Sequence, residues 1–178
     1  SWYLAIGAVQ NKSVLLEISN ELRQYNESLV VKDASGNIRT PSTYYEEGKS
    51  LNTLRGVPSL GIDPANGREL FRDRNGNVTY IWDALDQIEI GDGEANLFGN
   101  LSSTINYKRL SVQLIGNYSL GQDIYNQTLV DKVENNSPFV NSDKRVLEDR
   151  WKSPGDQTKY KSIADQSVTQ VSSRFVQN

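Results

Sequence analysis

The sequence predicts an all-β fold in which antiparallel strands carry long, turn-rich loops and at most short helices. Residues 97–119 alternate apolar and polar side chains with a period of two, the pattern of a strand pair with one apolar face. Residues 2–9 show a second alternation, with Trp2, Leu4, Ile6 and Ala8 on one side and Tyr3, Ala5, Gly7 and Val9 on the other. Elsewhere the chain is polar and is divided by turns that combine glycine with asparagine, aspartate or proline. Its 178 residues suffice to bury a core as one unit.

The first strand is predicted over residues 1–18. The alternation begins at Trp2, reaches Val9 and resumes in residues 14–18, beyond the polar pair Asn11-Lys12. Large apolar side chains fall on the same side as Trp2, including Leu4 and Ile6. Because successive side chains of a strand point to opposite faces, this segment is expected to have one apolar face.

A hairpin is predicted over residues 96–121, with a tight turn at Tyr107-Lys108-Arg109-Leu110. Its apolar face consists of Leu97, Gly99, Leu101, Ser103, Ile105, Tyr107, Leu110, Val112, Leu114, Gly116 and Tyr118. Its polar face includes Asn100, Ser102, Thr104, Asn106, Gln113 and Asn117. Strands of about ten residues with tyrosine near the ends of the apolar face fit a transmembrane barrel hairpin. A soluble antiparallel sheet gives the same alternation.

Two long excursions, residues 19–95 and 122–178, follow the first strand and the hairpin. Turns are predicted in the first at 35–37, 63–67, 75–77 and 91–93. In the second, residues 142–151 predict a short helix capped by Ser142 or Asp143 and ending before Pro154-Gly155. Outer-membrane barrels combine tight turns at one end with long outer loops, whereas compact soluble domains keep connections short. The contrast between one tight turn and two long loops therefore favours a barrel.

The composition argues against several functional classes. The chain has no cysteine and no histidine, so thiol nucleophiles, Ser-His-Asp relays and the commonest zinc ligands are absent from it. A net charge of -3 disfavours nucleic-acid binding. No run approaches the roughly 18 apolar residues of a membrane-spanning helix. We expect no catalysis, no cofactor, no metal site and no nucleic-acid partner.

Two acidic segments are candidate sites. The run Asp73-Arg74-Asn75-Gly76-Asn77 is like the start of a calcium loop, but Ala84 stands where the loop requires its bidentate glutamate, which favours a plain turn. An acidic cluster could supply a carboxylate pair for glycoside chemistry. Its members are Asp83, Asp86, Glu89, Asp92 and Glu94. The usual exposure of carboxylates favours a solvated surface instead.

Aromatic residues in the two excursions are the candidate substrate-binding residues. They are Tyr44, Tyr45, Tyr80, Trp82 and Trp151. Such side chains stack on sugar rings or on apolar peptide side chains, and they also form small cores inside long loops. Both interpretations remain open from the sequence.

A series of short motifs runs in order through residues 47–175. They are Glu47–Leu51, Gly61–Gly67, Asp73–Asn77, Ile90-Gly91, Phe98-Gly99, Tyr107-Lys108, Leu110-Ser111, Tyr118–Asn126, Arg150-Trp151, Pro154–Asp156 and Ser172–Phe175. In order and spacing they resemble the SusC/RagA-type TonB-dependent outer-membrane transporters of the Bacteroidetes. Ala95-Asn96 departs from the proline and lysine common there, and Leu120 replaces a glycine. The plug, the TonB-contacting segment and most barrel strands of that family have no counterpart in this sequence.

The resemblance implies that residues 1–178 are a single fragment of a partial outer-membrane β-barrel, with residues 19–95 and 122–178 as extracellular loops. It further implies import of an oligosaccharide or peptide across the cell outer membrane. A SusD-like surface lipoprotein is the expected partner, TonB would act through other parts of the protein, and lipid would cover the apolar face. The alternative is a soluble secreted β-sandwich carbohydrate-binding module, in which a second sheet covers Leu101, Ile105, Val112 and Leu114.

Overall fold

The computed structural model describes residues 1–34, 38–137, 139 and 141–178, and only the backbone of residues 30–34. In chain order the elements are β1 (Trp2–Gln10), α1 (Asn20–Ala34), β2 (Thr53–Gly56), β3 (Ser59–Ile62), β4 (Glu69–Arg72), β5 (Val78–Thr79), β6 (Ile88–Asp92), β7 (Leu97–Tyr107), β8 (Leu110–Leu120), β9 (Ile124–Tyr125), α2 (Gln127–Leu129) and β10 (Val176–Gln177). Single 3-10 turns lie at Ala84–Asp86, Lys144–Val146 and Ser173–Phe175, and a π-helix at Val130–Glu134. The turn predicted at 35–37 lies outside the described residues.

The described strands form four antiparallel sheets, ordered β1-β7-β8, β2-β6, β3-β4-β5 and β9-β10. The hairpin of the first sheet has the predicted turn, with Lys108 at a φ of 53°. Two-residue hairpin turns need such positive φ values to match the twist of the strands. Pairing runs unbroken from Leu97 opposite Leu120 to Tyr107 opposite Leu110.

The first strand is shorter than the predicted range of residues 1–18. It ends at Gln10, which lies opposite Leu97, the first residue of β7. Beyond this point β7 offers no further backbone partner. Leu15 instead exchanges backbone hydrogen bonds with the 48–49 turn, 2.7 Å to the Gly48 nitrogen and 2.9 Å to the Lys49 oxygen. The alternation in residues 14–18 therefore belongs to a loop that packs locally.

Helix α1 is an element that the sequence analysis does not assign. Ser19 caps its first turn, and the Asn26 side chain makes two hydrogen bonds to the Tyr45 backbone, at 2.7 and 3.1 Å. The helix predicted at residues 142–151 is reduced to one turn capped by Asp143. Beyond it, Asp149 takes a left-handed φ of 49°, which no helix continues, and Arg150 is buried with its guanidinium donating to backbone carbonyls.

The core of the loop region lies where the two excursions meet. Val130, Val133, Tyr160 and Phe175 form its apolar cluster. Beside it, Arg174 donates to both Glu69 and Glu134, at 2.8 and 2.7 Å, and all three side chains are buried. The Arg174–Glu69 pair joins residues 105 positions apart and so holds one excursion against the other. Within the described ranges, no helix is long and apolar enough to cross a membrane.

Candidate functional site

The apolar face of the β1-β7-β8 sheet is exposed. The register places Ile6 opposite Leu101, and Ile105 between Trp2 and Val112, so the apolar residues of the three strands form one continuous surface. Trp2 is 66% exposed and Leu114 is 63% exposed. Leu4, Ile6, Leu101, Ile105, Tyr107, Leu110 and Val112 are exposed on the same face. A monomeric soluble protein rarely leaves a patch of this kind open to water.

On β7 and β8 the reverse of the sheet is polar, as the sequence predicts, with Phe98 and Ile115 as the exceptions. Asn100 lies opposite Asn117, and Thr104 lies opposite Gln113. On β1 this face carries Tyr3, Ala5, Gly7 and Val9, with Gly7 opposite Asn100. The sheet therefore has one apolar face and one largely polar face, as the wall of an outer-membrane barrel does.

A tyrosine hydrogen bond links the first and third strands of the sheet across the second, on the apolar face. The Tyr118 hydroxyl on β8 crosses β7 and donates to the Gly7 carbonyl on β1, at 2.9 Å. It passes over Gly99, where a Cβ atom would come within 2.6 Å of the hydroxyl and 2.0 Å of the Gly7 oxygen. Gly99 thus keeps this crossing open.

Two of the five candidate aromatic residues, Tyr80 and Trp82, line a groove of about 550 Å³ in the loop region. The Trp82 indole nitrogen donates to the Val171 carbonyl at 2.8 Å, which fixes its ring. The Tyr80 hydroxyl donates to Asp63, and the Arg68 guanidinium lies 4.8 Å from the centre of the Tyr80 ring. The structure therefore brings these two aromatic side chains to one concave surface.

The other three candidates hold loops in place. The Trp151 indole donates to the Pro64 carbonyl at 2.9 Å and packs on Gly67, where a Cβ atom would come within 2.5 Å of the ring. Tyr44 carries the Arg55 guanidinium 4.0 Å above its ring centre. Tyr45 packs against Tyr25 of α1, with ring centres 6.0 Å apart. Their roles in substrate binding stay predictions.

Polar residues of the segment 161–170 form the opposite wall of the groove. Lys161 is 3% exposed and its amino group donates to Ser167. Burial lowers the pKa of Lys161. Burial raises the pKa of Asp165, but hydrogen bonds from Ser167 and the charges of Lys161 and Arg68 outweigh this and hold that pKa below its usual value. No periodicity or motif in the sequence marks these residues.

The five acidic residues between 83 and 94 belong to separate local networks. Arg74 binds both Asp83 and Asp86, at 3.1 and 2.9 Å. Lys49 pairs with Glu89, while Glu94 accepts a hydrogen bond from Ser13. Asp86 is buried and its carboxylate binds Arg74, so it is not solvated as the sequence suggested. Asp73 likewise accepts from the Asn75 and Asn77 amides, as in a plain turn. In the described part of the chain, no cluster of three or more aspartate or glutamate side chains is placed to hold a metal ion.

Comparison with known proteins identifies related chains. No protein-family model matches. The chain is 33% identical over 99 residues, 54% of its length, to TonB-dependent receptor P39 of Formosa agariphila, and the match covers 9% of that receptor. In fold, 75% of the chain matches 15% of a chain of the RagAB peptide transporter, with a TM-score of 0.61 and 18% identity. The same transporter in a closed-closed state gives a TM-score of 0.58 and 20% identity.

The chain therefore spans about a tenth of the length of this curated relative and 15% of the solved chains. The fold class that the sequence predicts, antiparallel strands of a partial outer-membrane barrel, is confirmed. The resemblance is confirmed as well: this chain is similar in sequence, over about half of its length, to a segment of a TonB-dependent receptor, and similar in fold, over three quarters of its length, to a segment of the RagAB peptide transporter.

Proposed function

We propose that this chain forms part of the wall and the outer loops of a TonB-dependent importer of the cell outer membrane. The observation that carries the proposal is the bare apolar face of the β1-β7-β8 sheet, backed by a polar reverse. In an importer the first face contacts lipid and the second lines a hydrated interior. A β-sandwich module would need a second sheet over Leu101 and Val112, which are both exposed in this structure.

The strand lengths suit this role. The eleven residues of β8 extend about 36 Å at about 3.3 Å per residue. At a tilt of about 45° this corresponds to about 26 Å along the membrane normal, close to the apolar band of about 25 Å of outer-membrane barrels. The exposed Trp2 and Tyr107 lie at the end of the sheet that carries the Lys108-Arg109 turn. In outer-membrane barrels, girdles of aromatic residues at the ends of the strands contact the lipid headgroups.

The proposed cargo is an oligosaccharide or a peptide, captured together with a SusD-like surface lipoprotein and imported with energy delivered through TonB. Of the five aromatic candidates, we place Tyr80 and Trp82 first, because they share the groove. Tyr44, Tyr45 and Trp151 would shape the loops around the cargo. Binding and release would shift the populations of loop conformations, without covalent chemistry.

Single-cysteine labelling of the full-length protein tests the wall assignment without any ligand. This chain contains no cysteine, so each introduced thiol is unique within it. Nitroxide labels at Leu114→Cys and Val112→Cys should be accessible to oxygen dissolved in the bilayer. Labels at the adjacent Gln113→Cys and at Asn100→Cys should be accessible to a water-soluble nickel chelate. Equal accessibility of neighbouring positions would contradict the proposal.

A further inference from the structure

The charged side chains are divided unevenly between the two ends of the β1-β7-β8 sheet. All 22 acidic residues and 16 of the 19 basic ones lie in residues 17–94 and 123–178, so these loop segments together carry a formal net charge of -6. The three strands contain no aspartate, glutamate, lysine or arginine. The loops join the sheet at Gln10, Leu97 and Leu120, whereas the turn at the opposite end consists of Lys108 and Arg109. One end of the sheet is therefore anionic and the other is cationic.

The two cations of the turn have no carboxylate partner in the part of the chain that the structure describes. The segments that form and border the sheet, residues 1–16 and 95–122, contain no acidic residue. The ion pairs among the described residues do not include Lys108 or Arg109. Both residues are exposed. Because no carboxylate neutralises them, their full charge is available to an anion from outside the chain.

The positive charge of Lys108 lies beside the apolar face of the sheet. The alternation of the strand directs Tyr107 to that face, where it is 66% exposed. The Lys108 ammonium lies 5.4 Å from the centre of the Tyr107 ring, within the range of cation–π attraction. Leu110, which is paired with Tyr107, is exposed on the same face. A ligand that reaches this ammonium therefore also meets an apolar surface.

The length of the strands places the turn at the level of lipid headgroups. In the proposed orientation the strands span an apolar band of about 25 Å, so the residues just beyond Tyr107 and Leu110 leave the hydrocarbon. Short turns of outer-membrane barrels lie at the periplasmic end. The charged atoms of the headgroups at this level are phosphate oxygens, which lysine and arginine bind through charge-assisted hydrogen bonds.

We propose that the Lys108-Arg109 turn binds the phosphate groups of anionic lipids in the periplasmic leaflet. The inference rests on the proposed wall function and specifies which lipids border the wall at that end. The two cations donate to phosphate oxygens, while Trp2, Tyr107 and Leu110 contact the adjoining part of the same lipids. A lipid fits this site better than a free anion, because a free anion has no apolar part to cover the surface next to the cations.

Fluorescence quenching beside the turn measures which lipids surround it. The full-length protein, with bimane attached at Leu110→Cys, is folded into phosphatidylcholine vesicles. These contain either phosphatidylglycerol or phosphatidylcholine that carries a nitroxide on the acyl chain near the headgroup. We expect the relative association constant to favour the anionic lipid by about fivefold to thirtyfold, since each cation at an anionic surface contributes roughly fivefold. Millimolar inorganic phosphate at constant ionic strength should leave this preference unchanged.

The preference should be lost when Lys108→Gln and Arg109→Gln are combined. Exchange of the two residues, Lys108→Arg with Arg109→Lys, should keep it, because the charge is retained. Lys12→Gln is the matched control, since Lys12 is an exposed lysine beyond the other end of β1. Removal of its charge should leave the preference at the wild-type value.

Equal association of the two lipids would overturn the inference. A preference that survives the double glutamine variant, that Lys12→Gln removes equally, or that free phosphate abolishes would do the same. None of these results affects the accessibility of the labels at Leu114 and Gln113. Quenching by neither lipid would place the turn away from the bilayer and would contradict the wall proposal as well, which the accessibility of those labels reports independently.

Discussion

An arginine placed on one face or the other of β8 gives the most direct test of the membrane orientation. Leu114 and Gln113 are neighbours near the middle of the strand and point to opposite faces. In the proposed orientation Leu114→Arg places a cation in the centre of the hydrocarbon. This costs about 2–4 kcal/mol at the midplane of an outer-membrane barrel. It corresponds to a roughly 30-fold to 1,000-fold smaller folding equilibrium constant.

Gln113→Arg places the same side chain on the polar face, opposite Thr104, where water solvates the charge. Its expected cost is within about 0.5 kcal/mol, as for ordinary surface substitutions. The assay is a urea titration of the full-length protein folded into lipid vesicles, followed by tryptophan fluorescence. Equal destabilisation by the two variants, or a larger effect of Gln113→Arg, would refute the orientation of the sheet.

Three further predictions concern the loop region. Thr53→Val should lower local stability by about 1–2 kcal/mol, because the Thr53 hydroxyl donates to a backbone carbonyl at 2.9 Å, whereas Thr169→Val should be neutral or stabilising without ligand. Hydrogen exchange of nearby amides measures both effects. Equal losses of stability would contradict the assignment of an unpaired hydroxyl to Thr169. Arg174→Met leaves the buried carboxylates of Glu69 and Glu134 without this ion-pair partner, so we expect the free energy of unfolding to fall by about 3–5 kcal/mol. The loss should be seen as rapid chymotryptic cleavage of the loops. Resistance equal to that of the wild type would contradict the buried pairing. Hydrogen bonds from the side chain and backbone of Arg145 lower the pKa of Asp143 to about 2. The stabilisation from this cap is complete above the ordinary value of about 4 and is lost as the pH falls through about 2, so a carboxyl NMR titration with a midpoint near 4 would disprove the cap.

Local signals predicted the hairpin and missed the helix. The alternation in residues 97–119 and the two-residue turn are contained within one short stretch, and β7 and β8 follow them residue by residue. Helix α1 contains Asn26 and Asp33, which are weak helix formers, and its apolar residues form no strong stripe. Its position depends on Asn26 and Arg23 binding the distant residues Tyr45 and Glu47. Contacts between separate segments carry no local pattern.

The candidate site shows the same limit. Sequence alone identified aromatic residues in the loops, but it could not tell Tyr80 and Trp82, which share a groove, from Tyr45, which packs on a helix. Lys161 and Thr169 were not found, because a buried lysine and an unpaired hydroxyl are properties of surroundings and not of residue type.

By itself, the sequence determined which side chains share each face of the strands, since the period of two is fixed by backbone geometry. It also determined the absence of thiol and imidazole chemistry from this chain. Tertiary structure alone decided that the apolar face is left uncovered, that Arg174 draws Glu69 and Glu134 together, and that the Thr169 hydroxyl is buried without a partner among the described residues. Exposure and pairing depend on residues far apart in the chain, so they exist only once the loops have packed.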